Sequence, residues 1–158
     1  MIMTATQSSN VARALWLFLS IVVAGALSYA PTSSAQNKRA TEDKVAVKAD
    51  VYFVLDDTTV STEGQKVLDQ LVALTRKFRL EVIILEGNAA LTSSAANALV
   101  ISNQRAAAVK AYLVANGIPA DRVSTKGNGA QKPLGDNATA AGRFKNNRVD
   151  IEMIGAKN

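Results

Sequence analysis

The sequence predicts an α/β sandwich in which two main helices cover one face of a mixed four-stranded sheet. Segments with alternating apolar residues, typical of strands, are separated by segments with the apolar period of helices, in the order β-α-β-α-β-β. A helix between consecutive strands requires a crossover connection, which makes part of the sheet parallel. The last two strands have no predicted helix between them, so we expect them to add a mixed edge to the sheet.

The first 35 residues differ in composition from the rest of the chain. They contain no acidic residue and one basic residue, Arg13, and residues 14–30 form a largely apolar run. This pattern is typical of an export signal peptide, and we expect cleavage after Ala35 because small residues precede it. The alternative is an uncleaved anchor, since about 17 residues approach the shortest membrane span. Residues 36–43 are polar and aperiodic, which indicates a linker to a domain at 44–158.

Composition limits the chemistry that this chain can perform. It has no Cys and no His, so disulfides, thiolate chemistry and histidine acid–base chemistry are excluded. No basic run is interleaved with aromatic residues, so the sequence gives no indication of nucleic-acid binding. No arrangement of lysines or carboxylates suggests catalysis either. We therefore expect a protein that is not an enzyme and that has no cofactor or metal.

The first half of the domain contains two predicted strands and one helix. Lys44–Leu55 alternates, with one apolar face, as a half-buried strand does. Thr62 and Gln65 have capping-box spacing, and the apolar stripe that follows extends to Phe78, which predicts a helix. Residues 80–86 have a continuous apolar centre, which favours a strand buried on both faces.

The second half begins with a predicted helix over 98–116, which should bury Leu99, Ala106, Val109 and Leu113. Gly117 and Pro119 end this helix, because glycine adopts the left-handed conformation of a helix terminus and proline prevents continuation. A third strand is predicted at 122–126 and a turn-rich loop at 127–142. The fourth strand, 148–154, should point Val149, Ile151 and Met153 inward, and Arg148, Asp150 and Glu152 outward.

Several segments together resemble the OmpA C-terminal family, the periplasmic domains that hold bacterial peptidoglycan. They are residues 105–123, the Gly-Asn-Gly-Ala-Gln-Lys-Pro segment at 127–133, Asn137, and Asn-Asn-Arg-Val-Asp-Ile at 146–151. The resemblance extends over about 51–154. It implies a non-catalytic module of the cell envelope that binds the diaminopimelate residue of the peptidoglycan stem peptide. It is also compatible with association with the outer membrane.

The resemblance implies a binding site for a zwitterion, with an acid for the ligand ammonium and an arginine for its carboxylate. The family arginine corresponds to Arg105. The family acid ends a Gly-x-Thr-Asp loop fifteen residues earlier, where this chain has Gly87-Asn88-Ala89-Ala90. Ala90 therefore stands in place of the acid, and no Asp or Glu lies between Glu86 and Asp121.

Other residues complete the predicted site. Asp56 and Asp57 follow the first strand, in a loop that borders the same cleft in the family, and they are the candidates for a compensating acid. Their alternative role is turn and cap chemistry. Arg148 and Asn137 also match positions of the family, although Asn137 is equally typical of a turn. For Arg105, the alternative is a solvated helix residue or a local ion pair.

Two functions remain open from the sequence. In the first, the domain binds peptidoglycan with weakened or altered affinity, because losing one partner of a buried charge pair costs about 3–5 kcal/mol and less in a surface cleft. In the second, it is a protein-interaction or scaffold domain of the envelope that no longer binds peptidoglycan. The small, uncharged loop at 88–97 favours packing against such a partner.

Overall fold

The computed structural model describes residues 44–157, so the predicted signal peptide and linker lie outside the described residues. This part of the chain has four strands, three α-helices and one 3₁₀ turn. In chain order they are β1 (Lys44–Tyr52), α1 (Thr62–Thr75), β2 (Phe78–Gly87), α2 (Ala95–Ala115), the 3₁₀ turn Ala120–Arg122, β3 (Val123–Gly127), α3 (Ala140–Asn146) and β4 (Arg148–Lys157). The predicted α/β fold with a mixed four-stranded sheet is confirmed.

The sheet has the strand order β1-β4-β2-β3. β2 and β3 are parallel, whereas β4 is antiparallel to both β1 and β2. The expectation that the last two strands form an edge together is wrong, because β4 lies inside the sheet. It pairs with β1 on one side and β2 on the other, and its Val149, Ile151 and Met153 are at most 2% exposed.

The apolar core lies between the sheet and α1 and α2. Leu68 and Leu71 of α1 and Val109 and Leu113 of α2 are buried in it. The expectation that β2 is buried on both faces is wrong, since Ile83 is buried but its neighbours Val82 and Ile84 are only half-buried. These helices cover one face of the sheet, so alternate side chains of β2 point away from the core.

Both long helices begin at serine caps. The Ser61 side chain accepts from the Gly64 N–H, so the N-cap of α1 is one residue earlier than predicted. Ser94 caps α2 in the same way, so this helix begins at Ala95, three residues before its predicted start. Leu99, predicted to be buried, is 46% exposed because it lies on a side of α2 that does not face the core.

The predicted end of α2 is confirmed. Gly117 has φ of +94°, and the N–H of Ile118 donates to the Leu113 carbonyl across it. This is the Schellman arrangement, which satisfies the last carbonyls of a helix. Gly87, at the end of β2, allows α2 to approach the strand closely, since a Cβ at this position would lie 1.9 Å from the Ser102 carbonyl oxygen. α2 therefore lies directly against the end of β2.

Two local predictions need correction. β1 ends at Tyr52 rather than at Leu55, because a turn closed by Asp57 N–H and the Val54 carbonyl follows it and leaves Leu55 49% exposed. The predicted loop at 127–142 ends in a helix, α3, whose N-terminus is capped by the Thr139 hydroxyl. Seven residues are too few to show a helical period in the sequence.

Candidate functional site

Arg105 projects from the middle of α2 into a space where three loops meet. Its Nε donates to the Asp57 carbonyl at 2.9 Å and its Nη2 to the Val54 carbonyl at 3.1 Å, both in the loop after β1. Its Nη1 donates to the Asn88 carbonyl at 3.3 Å and to Asn147 Oδ1 at 2.8 Å. The side chain is 1% exposed. Arg105 thus fastens the ends of β1 and β2 and the start of β4 to one another.

The charge of Arg105 has no close counter-ion among residues 44–157. The ion pairs within 4.0 Å in this part of the chain all involve other cations. The acceptors of Arg105 are neutral carbonyl and amide oxygens, and its guanidinium carbon lies 5.3 Å from the Phe53 ring centroid. Burial lowers the Arg105 pKa to about 10, while Asp56 and Asp57 raise it through their charges. The alternative of a solvated or locally ion-paired side chain does not fit this geometry.

Ala90 lies beside Arg105, where the resemblance implies an acid. Its N–H donates to Asn147 Oδ1 at 2.9 Å, the same oxygen that accepts from Arg105 Nη1. Ala90 is 5% exposed. The Ala90 backbone and the Arg105 guanidinium thus meet at one oxygen, and the side chain at position 90 is a methyl group rather than a carboxylate.

Asp56 and Asp57 lie in the loop after β1, where they form and stabilise a turn. The Asp57 side chain accepts from the Thr59 N–H at 2.8 Å, and this bond is the main reason that the Asp57 pKa lies below its usual value. Asp56 has φ of +61°, the left-handed conformation that aspartate tolerates in turns. Both carboxylates are exposed, so their influence on Arg105 is screened by water.

Arg148 is placed differently from its prediction. It was expected to point outward, but it is 3% exposed. Its Nε and Nη2 donate to the two carboxylate oxygens of Asp150 at 2.6 and 3.0 Å, and Nη1 and Nη2 also reach the Lys132 carbonyl. The loop containing Lys132 covers this side chain. Among residues 44–157, Arg148 shares no hydrogen-bond acceptor with Arg105.

Asn88 and Asn137 are engaged within the protein. Asn88 is 1% exposed, and its Nδ2 donates to Asp150 Oδ2 at 2.9 Å and to the Glu86 carbonyl at 3.0 Å. Asn137 Oδ1 accepts from the Leu91 N–H at 3.2 Å and from Asn146 Nδ2 at 2.9 Å. These amides hold the loops around Arg105 in place.

Asn147 is the site residue that sequence reasoning missed. It is 3% exposed, and its Oδ1 joins α2 to the loop after β2. It also lines a groove of about 200 Å³ next to Arg105, together with Val54, Leu55, Ala140, Arg143 and Phe144. The only signal in the sequence is its place in the Asn-Asn-Arg segment, which does not indicate where its side chain points.

The described part of the chain offers no metal centre, since residues 44–157 contain no group of three or more acidic side chains that could hold an ion. None of the helices in this part is long and apolar enough to cross a membrane. What the site presents is a fixed, buried cation behind a small groove.

Comparison with known proteins agrees with this architecture. A model of the OmpA family matches residues 52–147. Outer membrane protein A of Bordetella avium is 42% identical over 114 residues, which cover 72% of this chain and 59% of that protein. This chain therefore corresponds to little more than half of that relative.

Solved structures show the same fold at lower identity. The OmpA-like domain of FopA1 from Francisella tularensis has a TM-score of 0.64 at 23% identity, over 73% of this chain and 77% of that chain. The peptidoglycan-associated lipoprotein from Burkholderia pseudomallei has a TM-score of 0.59 at 23% identity, over 66% of this chain and 88% of that chain. These likenesses show the fold, and the family model together with the 42% identical relative shows that the chain belongs to the OmpA family.

Proposed function

We propose that this domain is a non-catalytic, periplasmic module that binds peptidoglycan through the diaminopimelate end of a stem peptide, with weakened or altered affinity. Residues 1–35 would direct its export. The observation that carries the proposal is the buried charge of Arg105, which has only neutral hydrogen-bond partners among residues 44–157. Membership of the OmpA family and the structural likeness to a peptidoglycan-associated lipoprotein support it.

The buried cation of Arg105 is costly for the fold. A charge removed from water is stabilised only in part by carbonyl dipoles, so an anion brought close to it is favoured. A carboxylate in the adjoining groove would supply that anion. A hydrogen bond to a charged group contributes about 1.5–3 kcal/mol. The site therefore favours the carboxylate end of a zwitterionic ligand.

The ammonium end of the ligand finds less support. Ala90 offers only a methyl group beside Arg105, and the nearest acids, Asp56 and Asp57, are exposed. Exposed ion pairs contribute about 0–1 kcal/mol because water and salt screen them. We therefore expect weaker binding of the zwitterion than in a site with an acid at position 90.

The test is co-sedimentation of the full chain with purified peptidoglycan sacculi. Ala90→Asp should increase the bound fraction, because a carboxylate at position 90 lies beside Arg105 and can pair with the ligand ammonium. Leu91→Asp is the matched control, since it adds the same charge at an exposed neighbouring position and should not increase binding. No gain for Ala90→Asp would refute the missing-acid argument. Failure of both wild type and Ala90→Asp to sediment would refute peptidoglycan binding itself.

A second function, as a protein-interaction domain of the envelope, is favoured by one surface. Leu91, Leu99 and Val100 are about half exposed, and the first two line an uncharged groove of about 410 Å³ between α2 and the loop after β3. Exposed apolar surface of this kind is typical of interaction sites. Leu99→Ser would weaken binding to a protein partner and leave sacculus binding unchanged. Loss of sacculus binding in this variant would instead place peptidoglycan at this groove.

A further inference from the structure

We propose that Asn147 contacts the ligand directly: its Nδ2 donates to the carboxylate at the diaminopimelate end of the stem peptide, in the small groove beside Arg105. This inference rests on the proposed function of the same site. It assigns the contact to a residue other than the arginine that carries the charge.

The first step is the hydrogen bonding of the Asn147 amide. Oδ1 accepts from two donors, Arg105 Nη1 and the Ala90 N–H, so the oxygen and nitrogen cannot be exchanged without losing both bonds. Nδ2 has no hydrogen-bond partner among residues 44–157. No fully buried side-chain nitrogen or oxygen in the described part of the chain lacks a partner. Nδ2 is therefore not fully buried, although Asn147 as a whole is only 3% exposed. We place its accessible surface in the groove that Asn147 lines.

The second step is the chemistry of the groove. Its walls are apolar at Val54, Leu55, Ala140 and Phe144, and polar at Asn147 and Arg143. The Arg143 guanidinium is held at this wall, since its Nη1 donates to the carbonyls of Asn137 and Ala138. Arg143 thus lines a mostly apolar space, and the buried charge of Arg105 lies behind it, bonded to Asn147. That combination favours an anion on a short aliphatic chain.

The size of the groove limits how much of a ligand it can hold. About 200 Å³ is smaller than the pockets of typical drug-sized ligands, about 300–1,000 Å³. It has room for the end of one amino-acid residue and not for a whole stem peptide. A carboxylate with a few methylene groups, as at the free end of diaminopimelate, satisfies both the charge and the volume.

Arg105 can act on the ligand without touching it. Four of the five N–H donors of an arginine are used here for protein oxygens, and the side chain is 1% exposed. Its bond to Asn147 Oδ1 polarises the amide, and hydrogen bonds in a chain strengthen one another. Nδ2 is thereby a stronger donor toward the groove. Arg105 is a positioning residue, and Asn147 makes the contact.

The test uses Asn147→Asp, which has nearly the same size and keeps an acceptor for Arg105 and Ala90. The change replaces the donor that faces the groove by an oxygen that repels a carboxylate. The probe is a stem tripeptide ending in diaminopimelate whose free amine is acetylated, so that the new acid gains no ammonium partner. It is prepared in two forms, in which the carboxylate at the free end of diaminopimelate is either free or converted to an amide. Binding is measured by isothermal titration calorimetry. Asn116→Asp, at the C-terminus of α2, is the charge-matched control.

We expect Asn147→Asp to fold with an unchanged or higher Tm and to bind the free carboxylate at least about tenfold more weakly than wild type. Asn116→Asp should bind as wild type does. Equal binding by Asn147→Asp and wild type would overturn the inference. So would a wild-type protein that binds sacculi but prefers the amidated probe to the free carboxylate. Failure of the wild type to bind sacculi would instead refute the proposed function.

Discussion

Arg105 and Arg148 are both almost fully buried, yet their charges are balanced in different ways. Arg148 donates to both oxygens of the Asp150 carboxylate, so its charge is neutralised inside the protein. Arg105 donates only to neutral oxygens of three loops. The strand β4 thus carries an arginine whose charge is neutralised within the protein, and the helix α2 carries one whose charge remains unmatched within residues 44–157.

This difference suggests separate roles for the two arginines, with Arg148 stabilising the fold and Arg105 favouring a bound anion. A neutralised, bidentate pair has nothing left to offer a ligand, and its removal should affect folding. An unmatched cation beside a groove is costly for folding and useful for binding an anion. Although the family resemblance assigned both arginines to the ligand, only Arg105 keeps a charge without a counter-ion among residues 44–157.

The largest expected effect is on stability, in Arg148→Met. This change leaves the Asp150 carboxylate without its cation and should lower the free energy of unfolding by about 3 kcal/mol, at the lower end for a buried pair because the Asp150 side chain is 33% exposed. Urea denaturation measures the loss. In an Asp150→Asn background the same substitution should cost clearly less. An equal loss in both backgrounds would show that Arg148 stabilises the fold without Asp150.

The next effect is on binding, in Arg105→Met. Removing the unmatched charge also removes the bond that polarises the Asn147 amide. Sacculus binding should therefore weaken by about tenfold to a hundredfold, the range for losing one hydrogen bond to a charged carboxylate. Arg148→Met, compared at a temperature where circular dichroism shows both variants folded, should bind as wild type does. If Arg148→Met loses as much binding as Arg105→Met, the proposed division between the two arginines is wrong.

The smallest effect concerns Asp50, which lies opposite Asp150 in the register of β1 and β4. Burial first, and then the Asp150 charge, raise the Asp50 pKa. A carboxyl group whose pKa is raised on folding destabilises the fold above that pKa, and the penalty disappears as pH falls and the group protonates. Asp50→Asn should therefore add about 0.2–1 kcal/mol at about pH 7, toward the low end because Asp50 is exposed, and nothing at about pH 3. Urea titrations at the two pH values check this, and a gain of the same size at both would contradict it.

Local signals in the sequence predicted the parts of the fold that they control. The polar residues that begin α1, predicted from Thr62, and the glycine after α2 act on their own turns, and the apolar stripe of α1 marks the helix face that is buried. Positions that depend on distant segments were not predictable in this way. Strand alternation placed Arg148 outward, but the Lys132 loop folds over it.

The site shows the same limit. The resemblance pointed to Arg105 and to the missing acid at position 90, because both positions lie at a fixed spacing in one stretch of the chain. It gave no indication of Asn147, whose side chain meets Ala90 and Arg105 from 57 and 42 residues away. Such contacts depend on the packing of three loops, which no local pattern records.

The most direct test of the unmatched charge is a binding cycle by isothermal titration. Wild type and Ala90→Asp are each titrated with the stem tripeptide in two forms, one with its free ammonium and one with that amine acetylated. We predict that acetylation leaves wild-type affinity nearly unchanged and weakens Ala90→Asp by about tenfold or more, since only the variant has an acid for the ammonium. An equal loss in both proteins would show that another carboxylate already serves the ammonium in the wild type, and would contradict the account.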